Sequence, residues 1–330
     1  MGHSPPQILT ESKAPERALY TPVGFVFPGQ GSQSLGMLSE WGDEPLIREI
    51  FDESSEVLGY NVWELAQSGP KEKLDQTEYT QPLLLTASVA LYRLWLSFRE
   101  ERPLLLAGHS LGEYSALVCA GALSLEEGLR LVAERGRLMQ NAVPQGMGAM
   151  AAIIGLTDEA VVLACEQANE AYQQPAVTPA NFNSPQQVVI AGTTEAVAKA
   201  MECAKALGAK RVIPLAVSVP SHCGLMEAAA LSLGQTLSTF KLKLPSIPVL
   251  HNVDAASQTT VAGICQALVS QLYSPVLWVE CVQKMAEAGV KTIIECGPGS
   301  VLTGLNKRIV PELHCVTANG VLEELAMVFE

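Results

Sequence analysis

Ser110 lies in Ala107-Gly108-His109-Ser110-Leu111-Gly112-Glu113, a Gly-x-Ser-x-Gly stretch. The apolar run Pro103-Leu104-Leu105-Leu106 before it reads as a buried strand, and Tyr114 to Ala120 after it reads as a helix. Strand, Gly-x-Ser-x-Gly, helix is the arrangement that holds a nucleophilic serine on a sharp turn. Gly108 and Gly112 lack Cβ atoms, so the turn can close tightly and leave the hydroxyl exposed. The same turn puts Ser110 at a helix N-terminus, where backbone N–H groups favour developing negative charge. An ordinary Gly-rich turn between strand and helix is the alternative. The context favours a nucleophile.

A serine hydroxyl stays weak until a base takes its proton. The chain has five histidines, so elimination is practical. His3 lies in a loose N-terminal segment, and His314 sits near the C-terminus in no recognisable turn. His109 adjoins Ser110, and neighbours on a sharp turn point apart, which favours a structural role. His222 and His251 remain, each after an extended segment. His222, on the turn Ser221-His222-Cys223 after Val219-Pro220, is the first candidate, against a turn histidine with no chemical duty. No acid stands out as a third member. Asp254 follows both histidines, whereas the α/β-hydrolase order is Ser, acid, His. A backbone carbonyl can accept the Nδ1–H bond instead.

Two further features point toward a site. Pro28-Gly29-Gln30-Gly31-Ser32-Gln33 stops the short strand Val23 to Phe27, and open α/β sheets place ligands at strand carboxyl ends. Gln30 offers an N–H and a side-chain amide there, although the pattern fits a structural turn equally well. It is not a P-loop, because the Gly-Lys-Ser/Thr ending is missing. Ser124-Leu125-Glu126-Glu127 is a capping box that opens a helix running to about Val143. Leu125, Leu129, Val132, Met139 and Val143 share one face of it, with Arg130 and Arg137 pointing away. Arg135 lies at the flank, roughly 80° from the centre of the stripe. From there its guanidinium can enter a cleft or snorkel to the surface.

These residues need a frame. Helices are expected over 45–66 and 81–98, the second punctuated at its start by Gln81-Pro82. Residues 144–217 read as a separate unit. Its strands fall at Ala149–Ile154, Pro175–Phe182, Gln187–Ala191 and Arg211–Val217, and its helices at Asp158–Ala171 and Glu195–Leu207. That order is βαββαβ, the ferredoxin-like arrangement. Pro144-Gln145-Gly146 and Val219-Pro220 bound the unit, so it is read as inserted into a larger α/β domain made of 21–143 plus 218–330. A cleft between the two bodies is a natural binding site. The larger domain resumes with helix 224–239, strand Ile247–Leu250, helices 260–272 and 278–287, and strand Val290–Glu295. That strand opens into Gly297-Pro298-Gly299-Ser300, read as a βα turn near the site.

Composition narrows the classes. The chain has 330 residues, 48% hydrophobic and 17% charged, which fits a globular protein with a large core. No run of about 18 apolar residues is present, so no transmembrane helix is expected. Residues 1–20 are polar, with Pro5, Pro6 and Pro15, and read as a disordered lead-in lacking a signal core; a cytoplasmic location is expected. Eight cysteines without a Cys-x-x-Cys pair suit reduced buried thiols better than disulfides or a metal site. A net charge of −13 argues against a nucleic-acid partner and gives no reason to expect binding to an anionic membrane.

Taken together, the chain resembles bacterial malonyl-CoA:acyl-carrier-protein transacylases over roughly residues 21–310. The matching pieces are Phe27 to Gln33, Gly108 to Glu113, Arg135-Gly136-Arg137 and Asn181-Phe182-Asn183-Ser184-Pro185. Val217 to Cys223, Asn252-Val253-Asp254, Gln271-Leu272-Tyr273 and Gly297-Pro298-Gly299 follow in unbroken order. The resemblance implies a hydrolase-like α/β domain with a ferredoxin-like insertion. It implies that Ser110 is acylated by malonyl-CoA and passes malonyl to the phosphopantetheine thiol of holo acyl carrier protein. Carried over by motif, His222 is general base and acid, the N–H groups of Gln30 and Leu111 form the oxyanion hole, and Arg135 binds the malonyl carboxylate. The main-chain carbonyl of Gln271 orients the histidine. No metal or bound cofactor is implied, and a monomer is expected.

Three other readings compete. An acyl hydrolase or thioesterase shares the machinery and differs only in the access of water. A transacylase for another extender unit, such as methylmalonyl, is the second, with Ser221 and Met139 shaping the pocket. A non-catalytic docking module for carrier protein is the third, disfavoured by intact Ser110, His222 and Arg135. Acyl carrier proteins are typically acidic, so a chain at −13 needs a local basic patch; Lys205, Lys210, Arg211, Lys307 and Arg308 are the candidates.

Overall fold

Val23–Phe27 is buried at every residue, as a strand must be when both faces of its sheet are covered. In the computed structural model, which describes residues 22–99, 102–217 and 219–329, this strand is β1, the centre of a five-stranded parallel sheet. The expected lead-in over 1–20 lies outside the described residues, as does Ser218. From β1 the chain runs through α1 (Pro45–Leu58), α2 (Val62–Ser68), α3 (Lys71–Leu74) and α4 (Thr77–Phe98) to β2 (Leu105–Gly108). Then come α5 (Gly112–Cys119) and α6 (Leu125–Ala142). A second body follows: β3 (Gly148–Ile154), α7 (Asp158–Asn169), β4 (Val177–Ser184), β5 (Gln187–Thr193), α8 (Thr194–Ala206) and β6 (Arg211–Pro214). The chain returns with α9 (Glu227–Leu237), β7 (Val249–Leu250), α10 (Val261–Gln271) and α11 (Trp278–Glu287). It closes with β8 (Thr292–Glu295), α12 (Val301–Ile309), β9 (His314–Thr317) and α13 (Ala318–Phe329).

The parallel sheet has the order β7-β2-β1-β8-β9, and the second sheet, antiparallel throughout, has the order β4-β5-β3-β6. The protein is therefore mixed α/β, as expected. Phe25 anchors the main core, its ring edge-on to Tyr92 and Trp95 of α4. Among the described residues no helix is long and apolar enough to cross a membrane.

Several sequence-based boundaries need correction. The single helix expected over 45–66 is two, because Gly59 adopts φ 77° and ends α1, and the Asn61 side chain caps α2. α4 starts four residues before Gln81, so Pro82 is inside the helix rather than at its start. The bias of a residue before proline away from helix is overridden by burial of nearly every side chain from Thr80 to Tyr92. β6 ends at Pro214 rather than Val217, and the helix expected from 224 opens with a short 3-10 turn before α9. His314, placed in no turn by sequence, heads β9; the βα turn expected at 297–300 leads into α12, whose extent had no sequence prediction, and neither did β9 or α13.

Two buried contacts set the working end of the sheet. At β2's end, a Cβ on Gly108 would overlap the backbone of Gly112, and one on Gly112 would overlap the Phe27 carbonyl. β8 ends in Glu295, a buried carboxylate accepting the N–H groups of Leu302 at 3.0 Å and Thr303 at 2.7 Å. Burial raises its pKa while those N–H bonds pull it down. It thereby caps α12 from the sheet and aims that helix at the cleft. The second body is tied to the first where Val276 pairs with β4: Phe182 donates to the Val276 carbonyl and Val276 to that of Ala180, both at 2.9 Å. Arg308 also reaches Gln187, at 3.1 Å.

Gly112→Ala tests the contact with the Phe27 carbonyl. The methyl group meets rigid backbone, so a loss of about 3 kcal/mol is expected, read as a lower urea midpoint with unchanged slope.

Candidate active site

Ser110 and His222 both adopt left-handed backbone conformations, φ 53° and 63°, which L-residues hold only when their surroundings insist. For Ser110 the surroundings are the glycine-lined turn between β2 and α5, with its N–H donating to Asn252 Oδ1 at 2.7 Å. His222 is held through its N–H, which donates to the Leu272 carbonyl at 2.9 Å. Residues 112 positions apart in sequence thereby meet, with His222 Nε2 2.8 Å from Ser110 Oγ.

The tautomer follows from the other ring nitrogen. His222 Nδ1 is 2.7 Å from the Gln271 carbonyl, which can only accept, so Nδ1 carries the hydrogen. In the neutral ring Nε2 then holds a lone pair aimed at the Ser110 hydroxyl. Burial, and next the positive charge of Arg135, lower the His222 pKa to about 3. The ring is thus neutral at working pH, with Nε2 free to accept the serine proton.

Arg135 reaches the same hydroxyl from α6. It is 1% exposed, yet among the described residues it has no salt-bridge partner. Its Nη1 donates to Gln81 Oε1 at 2.9 Å, and its Nη2 to Gln271 Oε1 at 2.9 Å and Ser110 Oγ at 3.2 Å. The Tyr114 ring lies 5.2 Å from its Cζ, and Nε has no partner among the described residues. A desolvated cation held by neutral groups is costly unless an anion completes it.

Gln271 joins these pieces. Its carbonyl takes His222, its Oε1 takes Arg135, and its Nε2 lies 2.9 Å from both the Ser110 carbonyl and Glu113 Oε2. Glu113, buried in the first turn of α5, also accepts from the Asn252 N–H at 2.9 Å and pairs with His251 Nδ1 at 2.7 Å. His251, the second base candidate, is therefore engaged away from Ser110. Burial alone would lower its pKa, but the Glu113 carboxylate outweighs burial and the pKa is raised.

Gln30 and Leu111 flank the serine on a cavity of about 800 Å³ between the two bodies. Among the described residues neither main-chain N–H has an acceptor. Gln30 is held by its side chain, which donates to Thr77 Oγ1 at 3.2 Å. Val301, Leu302 and Leu305 of α12 line the cavity opposite Met150 and Val189. His109 lies on its wall with Nε2 2.8 Å from Asn183 Oδ1, linking the turn to β4. Ser110, His222, Arg135, Gln271, Gln30 and Leu111 thus converge on one cavity. Sequence reasoning missed Gln81, Glu113 and Asn252 as parts of the site. Glu113 and Asn252 stood inside quoted motifs, but nothing local marks an amide or a buried carboxylate as a hydrogen-bond hub. Among the described residues no cluster of His, Cys, Asp and Glu is placed to hold a metal ion.

A family model described as acyl transferase domain matches residues 24–320. The malonyl CoA-acyl carrier protein transacylase of Haemophilus influenzae is 54% identical over 299 residues, 90% of this chain and 95% of that one. The crystal structure of an acyl carrier protein S-malonyltransferase from Vibrio cholerae is 53% identical with a TM-score of 0.87, covering 90% of this chain and 96% of that one. A malonyl-transacylase in complex with its type II PKS acyl-carrier protein is 50% identical with a TM-score of 0.88, covering 92% and 99%.

The low His222 pKa sets a pH signature. Labelling of Ser110 by a fluorophosphonate is expected to hold its rate through pH 6.5, because the base protonates only near about 3. A fall centred near 6.5 would mean that His222 titrates as it does in water. Stability moves differently. The unfolded chain takes up the proton near pH 6.5 and the folded chain near 3, so this residue costs stability progressively as pH falls across that window.

Proposed function

The chain belongs to the acyl transferase family, and we propose that it transfers malonyl from malonyl-CoA to the phosphopantetheine thiol of holo acyl carrier protein through a malonyl-Ser110 ester. The observation that carries this reading is Arg135, a buried guanidinium with no carboxylate partner among the described residues, 3.2 Å from Ser110 Oγ. An acyl group ending in a carboxylate supplies the missing charge in bidentate form, whereas acetyl leaves the guanidinium unpaired.

In the first half-reaction the Ser110 proton passes to His222 Nε2 as Oγ attacks the thioester carbonyl. The N–H groups of Gln30 and Leu111 take the oxyanion, a contribution of about 3–4 kcal/mol per donor in comparable sites. The C–S bond breaks and His222 returns the proton to the coenzyme A sulfur. The second half-reaction reverses these steps, with the carrier's thiol giving its proton to His222 and attacking the ester. The Gln271 carbonyl holds the imidazolium throughout.

This reading carries a hydrolase-like main body with a ferredoxin-like insertion. The β4-β5-β3-β6 order, with α7 and α8 as crossovers, supports the second half of that description. It also carries a monomeric cytoplasmic enzyme that needs no bound cofactor. For the carrier, the register Gln187–Ile154–Arg211 and the Arg308–Gln187 bond support a basic patch that gathers Lys210, Arg211 and Arg308 at one end of the second sheet. Lys205 and Lys307 are exposed and complete the candidate set.

Intact mass after mixing with malonyl-CoA, then with holo carrier, is the decisive experiment. A malonyl adduct is expected, absent in Ser110→Ala and removed intact by the carrier; loss to free malonate at the same rate without carrier would make the protein a hydrolase. Arg135→Lys keeps the charge but loses the fork, and a drop of about 100-fold in malonyl loading is expected, against a fewfold change if Arg135 does not bind the carboxylate. Charge reversal at Lys210 and Arg211 is expected to slow transfer to the carrier while leaving loading from malonyl-CoA intact.

A further inference from the structure

Glu113 is a buried carboxylate behind the serine turn, and it touches neither Ser110 Oγ nor His222. Three donors converge on its two oxygens: His251 Nδ1 on Oε1, and the Asn252 N–H and Gln271 Nε2 on Oε2. Only an acceptor-only group can satisfy all three, which an ionised carboxylate does and an amide does not. The residues so held are the ones that place the reacting groups. Asn252 Oδ1 takes the Ser110 N–H, and Asn252 Nδ2 donates to the Gly108 carbonyl at 2.7 Å, bracing the turn on both sides. Gln271 takes the Ser110 carbonyl, His222 and Arg135 with three separate atoms.

We propose that Glu113 is the positioning residue of the site, its carboxylate locking Asn252 and Gln271 so that Ser110, His222 and Arg135 are set as one unit. With both oxygens engaged by His251, Asn252 and Gln271, the Glu113 carboxylate makes no hydrogen bond to Arg135, whose guanidinium is left for an incoming acyl carboxylate. Glu113 thereby acts on both halves of the chemistry, nucleophile and selectivity, from behind the turn. The selectivity half rests on the transacylase reading; the nucleophile half does not.

The test uses the whole chain with two readouts. Fluorophosphonate labelling of Ser110 reports the nucleophile whatever the natural substrate, and loading from malonyl-CoA against acetyl-CoA reports Arg135. Glu113→Gln is expected to slow labelling by at least about tenfold, since displacements of about 1 Å cost up to about 100-fold. It is also expected to narrow the malonyl-to-acetyl ratio. Glu113→Asp keeps the charge while drawing the oxygens back by one methylene, and a smaller loss in the same direction is expected, including where Glu113→Gln fails to fold. A folded Glu113→Gln that labels within about threefold of the parent overturns the proposal, and where that variant does not fold, a Glu113→Asp that labels at the parent's rate does. Labelling that falls while the acyl ratio of a loading-competent variant stays unchanged overturns the selectivity half. A parent that labels but does not load malonyl removes the transacylase reading and leaves the labelling test of Glu113 intact.

Discussion

Gly112 lies so close to the Phe27 carbonyl that no methyl group fits between them, and that closeness fixes where Ser110 can be. It forces the chain to leave β2 and enter α5 within a few residues, directly above the end of β1. Ser110 is left in a left-handed conformation, and so is His222, whose Nε2 meets the serine hydroxyl. Each such residue carries strain of about 1–3 kcal/mol. The sheet and its core make that strain tolerable, and hydrogen bonds from distant segments remove the alternatives.

Those bonds come largely from neutral or fully engaged groups. Asn252, Gln271 and Gln81 supply directional contacts without adding charge, and the Arg135 guanidinium is held by the two glutamine amides and the serine hydroxyl. An interior built for stability would give such a cation its own carboxylate. Here the nearby carboxylate, Glu113, is already committed to His251, Asn252 and Gln271. The arrangement gives up stability and leaves a buried cation on the cavity wall with no carboxylate partner among the described residues.

The sequence made the reacting atoms legible and left their supports obscure. Ser110 announced itself through its two glycines, and His222 through elimination among five histidines. Arg135 was ambiguous, because a helical wheel gives direction but not what a cleft contains. The frame was read well where burial and periodicity agree, as at β1 and across 148–206. It failed at α4, where tertiary burial overrode proline, and after Ser300, where α12 is capped by a carboxylate from the preceding strand rather than by a local residue. Glu113, Asn252 and Gln271 were invisible as a group, since their contacts span about 140 to 160 positions. No local pattern encodes an amide's partner at that range.

The proximity of Arg135 to His222 has one more result. After burial, the guanidinium's charge opposes a second positive charge on the imidazole, which is part of why the His222 pKa is lowered. Under the proposed transacylase reading, a carboxylate bound at Arg135 cancels that opposition, so the proton affinity of His222 rises with the acyl group in place. Recognition and activation are then thermodynamically linked: the ligand that fits strengthens the base, and an uncharged acyl chain leaves it as it was.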